Sequence, residues 1–200
     1  MTSLPRCDRW FPWAERSSSW RQAVVPGETL VREQIHGAYG GNSQAGISRS
    51  SNSPNVLVYS DHEKAADNGY DFDGWDRSLR VYYYTGEGKV GDQTLARGNR
   101  AIAEHQRDAA ALRLFVAVGY RPGTGTRIHH DIGQFAVDSE LPYVVRRAPG
   151  IDGVPRDVLV SDCCPSVHSP LKRALTSAPS KALVNQRPYP LSLSRRCQSK

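Results

Sequence analysis

Two short segments carry most of the chemistry this sequence offers. Gly69-Tyr70-Asp71-Phe72-Asp73-Gly74-Trp75 is followed, after one short link, by Tyr82-Tyr83-Tyr84-Thr85-Gly86. Both are rich in turn residues, and together they set aromatic rings beside carboxylates. Two rings can sandwich a planar base, with stacking worth about 1–3 kcal/mol per base. A carboxylate in the plane between them can accept from an exocyclic amine such as cytosine N4. Taking a base out of a duplex costs a few kcal/mol, which such a slot can offset. A plainer reading stands beside this one. Tyr82 and Tyr84 share one face of a strand and would then be ordinary core aromatics, and the Asp-Gly pairs would be turns and nothing more.

Other constellations are weaker. Gly86-Glu87-Gly88-Lys89-Val90-Gly91 is a literal G-x-G-x-x-G after a strand and before a helix, the context a dinucleotide site requires. Glu87 and Asp92 flank it, however, and negative charge there repels a pyrophosphate. A dinucleotide-binding oxidoreductase is therefore the least favoured reading, and no cofactor is expected. His129 and His130 are adjacent, so a strand would point them to opposite faces. His36, His62 and His105 lack a His or Cys at ligand spacing, and no metal site is expected. A G-x-S-x-G nucleophile elbow is absent.

The elements that must position these residues read mainly as β. Val56–Tyr59, Val81–Thr85, Leu112–Val118, Gly133–Val137 and Val158–Val160 are short apolar runs bounded by Gly, Pro, Asn or Asp, and Tyr143–Val145 reads as an edge segment. Helices are expected over Thr29–Tyr39 and Asp92–Ala110, the second weakened by Gly98. The order helix, strands, helix, strands indicates an α+β fold with a strongly bent sheet or small barrel rather than a βαβα repeat.

Composition sets the limits. Hydrophobic residues make up 38% of 200, low for a chain packed throughout. The net charge of +6 is concentrated in one place. From residue 161 on lie seven of the 26 Lys+Arg and one of the 20 Asp+Glu, so residues 1–160 are balanced and the surface is not uniformly basic. Residues 161–200 read as a disordered Ser/Pro/Arg-rich tail, and residues 1–25, with Trp10, Trp13 and Trp20, as a loosely ordered arm. No apolar run approaches a membrane span and no secretory leader is evident. Cys7, Cys163, Cys164 and Cys197 have neither zinc nor disulfide-framework spacing, which fits a reducing cytosol.

Several motifs occur in an order that resembles the SRA (SET- and RING-associated, or YDG) domain, a reader of modified cytosine in DNA. Pro26-Gly27-Glu28 opens the series. Gly46-Ile47-Ser48-Arg49-Ser50-Ser51-Asn52 and Val56-Leu57-Val58-Tyr59 look like the family's G-I-x-x-R-S-N turn and the strand after it. Gly69-Tyr70-Asp71-Phe72-Asp73 looks like its G-Y-x-D-D segment, and Tyr84-Thr85-Gly86-Glu87-Gly88 like its Y-T-G-x-G. Asp92-Gln93-Thr94-Leu95 with Asn99-Arg100-Ala101-Ile102 looks like its D-Q-x-L…N-R-A-L helix. Asp131–Val137 is a poorer echo of its Y-D-G-x-Y-x-V. The series is similar to SRA-like modules of bacterial modification-dependent HNH endonucleases.

The resemblance implies an SRA-like, PUA-like twisted sheet or small β-barrel with flanking helices over residues 26–160, and a pocket for a flipped 5-methylcytosine or related base. By position, Tyr70 and Tyr84 would sandwich the base, and Asp73 would accept from its Watson–Crick edge. Thr85 and the backbone at Gly69 and Gly86 would complete the edge contacts, with Gln93 and Asn99 as pocket support. Arg49, Ser50, Asn52, Lys89 and Arg77 would approach the DNA backbone. Only three residues separate Gly88 from Asp92, where eukaryotic readers carry a long finger. The implied partner is double-stranded DNA with modified cytosine, the implied location the cytoplasm at the nucleoid. No catalytic residue is expected in this chain. The alternative is the recognition part of a modification-dependent endonuclease, with a separate or lost HNH partner. The tail after Val160 does not resemble that nuclease, and a homodimer is left open.

Overall fold

The computed structural model describes residues 24–65, 67, 69, 70, 72–76 and 80–165. In chain order the elements are β1 (Thr29–Val31), α1 (Arg32–Tyr39), β2 (Ile47–Arg49), β3 (Asn55–Ser60), α2 (His62–Ala65) and β4 (Gly74–Asp76). They continue with β5 (Val81–Thr85), α3 (Arg97–Ala103), β6 (Ala111–Tyr120), β7 (Arg127–Ala136), β8 (Val144–Pro149) and β9 (Pro155–Pro165).

The strands form one twisted mixed sheet in the order β2-β3-β6-β7-β9-β5-β4, with β1 added to β7 and β8 to β9. The β3–β6 pair is parallel and the other pairs are antiparallel. The path is open, so the α+β class with a strongly twisted sheet holds, but the hydrogen bonding does not close a barrel. Curvature comes from two register shifts between β6 and β7, at Leu114/Phe115 and at Ala117/Gly119, because an extra residue on one strand bends and twists the pair. The main core lies where Val56, Val58, Leu112, Leu114, Phe135, Tyr82 and Tyr84 meet Ala101 and Ile102 of α3. A second core packs Ile35 and Tyr39 of α1 onto Leu57, Tyr59 and Phe115 on the opposite face.

Several expectations are corrected. Thr29–Val31 is not the first turn of a helix. It pairs with Ile128–His130 as an edge strand, and the helix starts at Arg32. The second helix is shorter than Asp92–Ala110. Asp92 and Gln93 are instead bound to β9, through Asp157 N–H to Asp92 Oδ1 at 2.8 Å and Gln93 N–H to the Asp157 carbonyl at 2.8 Å. At its far end Ala109 sits at φ 50, and His105 Nδ1 meets the Ala110 carbonyl at 2.7 Å. The last strand does not stop at Val160. It continues to Pro165, with Cys163 and Cys164 buried and paired to β5 and β7. Cys164 is disulfide-bonded, which the cysteine spacing gave no sign of, while Cys163 is a free buried thiol. At the other end Val24 is buried, and its carbonyl accepts from Arg113 Nη2 at 2.5 Å. Arg113 is itself fully buried and ion-paired to Asp131 at 2.6 Å. The Trp arm and the basic tail lie outside the described residues. No described helix is long and apolar enough to cross a membrane.

Candidate nucleic-acid interface

The β4–β5 hairpin brings the two chemistry-bearing segments together. Gly74 pairs with Tyr83, so Asp73, one residue before β4, falls beside the end of β5. Its Oδ1 accepts from the Thr85 amide at 2.7 Å and its Oδ2 from Ser60 Oγ at 2.6 Å. Tyr82 OH donates to Ser60 Oγ at 2.8 Å and lies 3.2 Å from His62 Nε2. A relay of hydroxyls thus holds a single carboxylate. Burial pushes Asp73 up to about 6, while the Ser60 hydroxyl and the Thr85 amide hold it down. With that value it is ionised at neutral pH but close to titrating.

The hydroxyl of Thr85 is buried and makes no hydrogen bond of proper geometry, although it lies near enough to Asp73 to favour the charged carboxylate. A buried donor without a partner is uncommon and calls for a cause. Tyr84 is 5% exposed, and its OH donates to the Tyr59 carbonyl at 3.3 Å. Burial raises it well above the ordinary phenol range, and the neighbouring Asp73 and Tyr70 add to the shift. Tyr70 is half-buried. Burial raises its pKa too, against the pull of the Gly88 backbone and Arg156. Neither Tyr70 nor Tyr84 stacks on another aromatic ring among the described residues, whereas Tyr82 packs edge-on to Trp75 at 5.5 Å. The plainer reading therefore describes Tyr82, a core aromatic. Tyr84 belongs to that core and also borders Asp73.

Gln93 and Asn99 tie down the Gly86–Gly88 loop that follows Thr85. Gln93 Nε2 donates to the carbonyls of Gly86 (2.5 Å) and Gly88 (3.1 Å), and its Oε1 accepts from the Leu159 amide at 2.9 Å. Asn99 Oδ1 accepts from the Glu87 amide at 2.7 Å, and its Nδ2 donates to the Glu87 and Thr94 carbonyls. These two amides crowd Gly86 so closely that a Cβ there would lie 2.6 Å from Asn99 Oδ1. The G-x-G-x-x-G segment is filled in the same way. Glu87 Oε1 accepts the Gly98 amide at 2.8 Å, where a dinucleotide would need to place a phosphate.

Sequence reasoning missed Arg156. It is 1% exposed and has no carboxylate partner among the described residues. Its Nη1 donates to the Gly88 carbonyl at 2.6 Å and its Nη2 to the Gly69 carbonyl at 2.9 Å, while Nε has no partner. Gly69, at φ 69, lies so close that a Cβ would come 2.9 Å from Arg156 Nη2. One guanidinium therefore joins the Tyr70 segment to the Gly86–Gly91 loop. A lone Arg between Pro155 and Asp157 gives no sign of this, since its acceptors are main-chain carbonyls far off in sequence.

The expected backbone contacts are more scattered. Arg49 is exposed and paired to Asp108 at 2.5 Å. Ser50 Oγ donates to the Tyr39 carbonyl at 2.5 Å, and Asn52 Nδ2 reaches the Ala38 carbonyl at 3.5 Å, so both side chains shape their own loop. Lys89 is exposed beside the slot loop, and Arg77 lies outside the described residues. The histidines divide as strand geometry requires, with His129 buried and His130 partly exposed. No group of three metal-ligating side chains occurs among the described residues.

A profile of the ScoMcrA-like SRA domain matches residues 26–186. Comparison with curated proteins gives no match. Among solved structures, the sulfur-binding and SRA domains of ScoMcrA complexed with phosphorothioated DNA superpose with a TM-score of 0.54 at 26% identity, covering 77% of this chain and 45% of that one. The Type IV phosphorothioation-dependent restriction endonuclease ScoMcrA gives 0.54 at 28% identity, over 76% of this chain and 29% of that one. KRYPTONITE in complex with mCHH DNA gives 0.52 at 17% identity, over 74% and 33%, a likeness of fold alone. The chain thus spans less than half of either ScoMcrA chain. With the matched region covering most of its length and the motif order intact, the chain belongs to the family of ScoMcrA-like SRA domains.

Proposed function

We propose that the chain reads modified DNA, taking up a flipped 5-methylcytosine or related base between Tyr70 and Tyr84 and performing no chemistry on it. The observation that carries this is the convergence of the Asp73 carboxylate, held by the Thr85 amide, with the buried Thr85 hydroxyl beside it. A cytosine edge offers an N4 amine that donates and N3 and O2 atoms that accept. Asp73 supplies an acceptor and Thr85 a donor beside it. Two phenol rings contribute stacking of about 1–3 kcal/mol, against a few kcal/mol for extracting the base. Membership of the ScoMcrA-like SRA family and the complex of a ScoMcrA fragment with phosphorothioated DNA support DNA as the partner. Such a reader would work in the cytoplasm at the nucleoid.

Binding of otherwise identical duplexes carrying cytosine, 5-methylcytosine, 5-hydroxymethylcytosine or a phosphorothioate linkage tests the reading. Preference for a modified cytosine, lost in Asp73→Ala and Tyr70→Ala, supports it. Equal binding to all four duplexes rejects it.

A second reading follows from length. The chain spans 45% and 29% of the two ScoMcrA chains, one of which is a restriction endonuclease. The domain could then serve as the recognition part of a modification-dependent nuclease whose HNH cleavage module is supplied separately. Modified DNA incubated with the chain and Mg²⁺ or Mn²⁺ should stay intact, and cleavage by the chain alone would reject this division of labour.

A further inference from the structure

A groove of about 320 Å³ lies between β2 and α3. It is lined by Ile47, Arg49, Arg97, Gly98, Arg100 and Ala101, three guanidinium groups set against one carboxylate, Glu87, which is engaged by the Gly98 amide. Three guanidinium groups in one groove are a local exception, since Asp and Glu outnumber Lys and Arg over residues 26–160. Gly98 keeps the floor low. A Cβ there would come 2.7 Å from Ile47 Cβ and 2.8 Å from Glu87 Oε2.

The three arginines are unequally committed. Arg49 is held by Asp108 at 2.5 Å. Arg100 lies 4.0 Å from Glu104, which Arg107 approaches to 2.5 Å. Arg97 has no hydrogen bond or ion pair among the described residues. Its backbone is at φ 45, a left-handed conformation that residues other than glycine seldom adopt and that clusters at functional sites. The guanidinium fork matches phosphate oxygens in geometry as well as charge.

The groove adjoins the residues of the proposed base site at two points. Ile47 lines it, while the preceding Gly46 carbonyl lies 3.5 Å from Tyr84 OH. Glu87, two residues after Thr85, accepts from Gly98 on the groove floor. We infer that Arg49, Arg97 and Arg100 form a binding site for a backbone phosphodiester of the duplex whose modified base enters the slot. The inference rests on the DNA-reader reading above. It adds a sequence-blind anchor beside the base-specific contact, in keeping with phosphate contacts that position and base contacts that specify.

Salt titration separates the two. Binding of the full chain to a 5-methylcytosine duplex and to its unmodified twin is measured by fluorescence anisotropy across a range of salt. For Arg97→Ala with Arg100→Ala, affinity for both duplexes should fall by the same factor, about tenfold or more. The slope of log K against log salt should shrink by about two, and the ratio between duplexes should stay fixed. Lysine at both positions should keep most of the slope, and thermal melts check that the fold survives. Asp73→Ala should do the reverse, collapsing the ratio and sparing the slope. An unchanged slope in the folded alanine variant overturns the phosphate site, and so does a loss confined to the modified duplex. Unchanged DNA binding with loss of salt-sensitive poly-glutamate binding would also overturn it, assigning the groove to an acidic protein partner. If the wild-type chain binds both duplexes equally, the base-reading proposal fails, while the slope comparison still decides the groove.

Discussion

The Asp73 carboxylate and the Thr85 amide stand 2.7 Å apart and join the open end of the β4–β5 hairpin. This contact orients the carboxylate proposed as the base acceptor, and it also places a charge where burial opposes it.

Replacing that charge should separate stability from recognition. Asp73 has a folded pKa of about 6 against an unfolded value near ~3.9. The folded state therefore holds more protons between roughly pH 4 and 6, and stability falls as pH rises through that window. The penalty at neutral pH is at most about 3 kcal/mol. Asp73→Asn keeps an oxygen for the Thr85 amide and removes the charge. Urea unfolding at pH 7 should show it as stable as the wild type or more so, and without the wild type's loss between pH 4 and 6. Its amide N–H₂ would face the N4 amine of a cytosine, donor against donor, so the preference for a modified duplex should disappear. A clear loss of stability at pH 7 would show that the carboxylate is not strained.

The same pKa sets a pH dependence for binding, with the sign given by the chemistry. An amine donor favours the ionised carboxylate, so affinity for the methylated duplex should be level above about pH 6. Below it, affinity should weaken by up to about tenfold per pH unit. The unmodified duplex, bound through phosphates, should show no such step. Parallel titration of the two duplexes from pH 8 to 5 checks this, and matching profiles would remove Asp73 from the recognition step.

Much of the architecture was legible where local sequence and tertiary role agree. β3, β5 and β6 carry apolar or aromatic runs (Val56–Tyr59, Val81–Tyr84 and Leu112–Val118, the last interrupted by Arg113), and each lies where its residues indicate. β1, β2 and β4 have three residues each, too few for any period to register, and only their pairing partners define them. The Asp92–Ala110 helix was overextended because Asp92 and Gln93 hydrogen-bond to β9 and the slot loop instead of joining a helix. That the Asp73 and Tyr84-Thr85 segments meet follows from the order of motifs in the sequence, and the β4–β5 hairpin brings them together. Arg156 and the groove arginines were not legible, since what defines them is the backbone and space around them.

Gly98 illustrates the difference between local and tertiary reasons. In an isolated helix Gly→Ala gains about 1 kcal/mol. Here the added methyl would meet Ile47 Cβ at 2.7 Å and the Glu87 carboxylate at 2.8 Å. The first contact is a core side chain on β2, and overpacking of that kind costs typically 1–3 kcal/mol. Gly98→Ala should therefore lower stability by roughly 1–2 kcal/mol, a drop of several degrees in a thermal melt. A rise in Tm would mean that β2 and α3 separate easily.

Arg156 offers the strictest test of the slot as a built unit. Its Nη1 and Nη2 bind carbonyls from two loops, Gly88 at 2.6 Å and Gly69 at 2.9 Å, and it does so at 1% exposure. Hydrogen bonds from a charged donor contribute about 1.5–3 kcal/mol each, and carbonyls left without a donor add their own desolvation cost. Against this stands the relief of removing a buried cation that lacks a carboxylate partner and leaves its Nε unbonded. Two charged bonds outweigh one imperfectly solvated cation, so Arg156→Met should destabilise by roughly 2–4 kcal/mol. Arg156→Lys keeps the charge but lacks the fork that reaches both loops at once, so it should recover only part of that stability. In both variants the Gly69–Tyr70 segment loses its tie to the Gly86–Gly91 loop, so Tyr70 of the proposed base site is less firmly placed. Selectivity for the methylated duplex, measured well below either melting temperature, should therefore fall further than overall DNA affinity. A variant that loses stability but keeps full selectivity would show that Arg156 supports the sheet and not the slot.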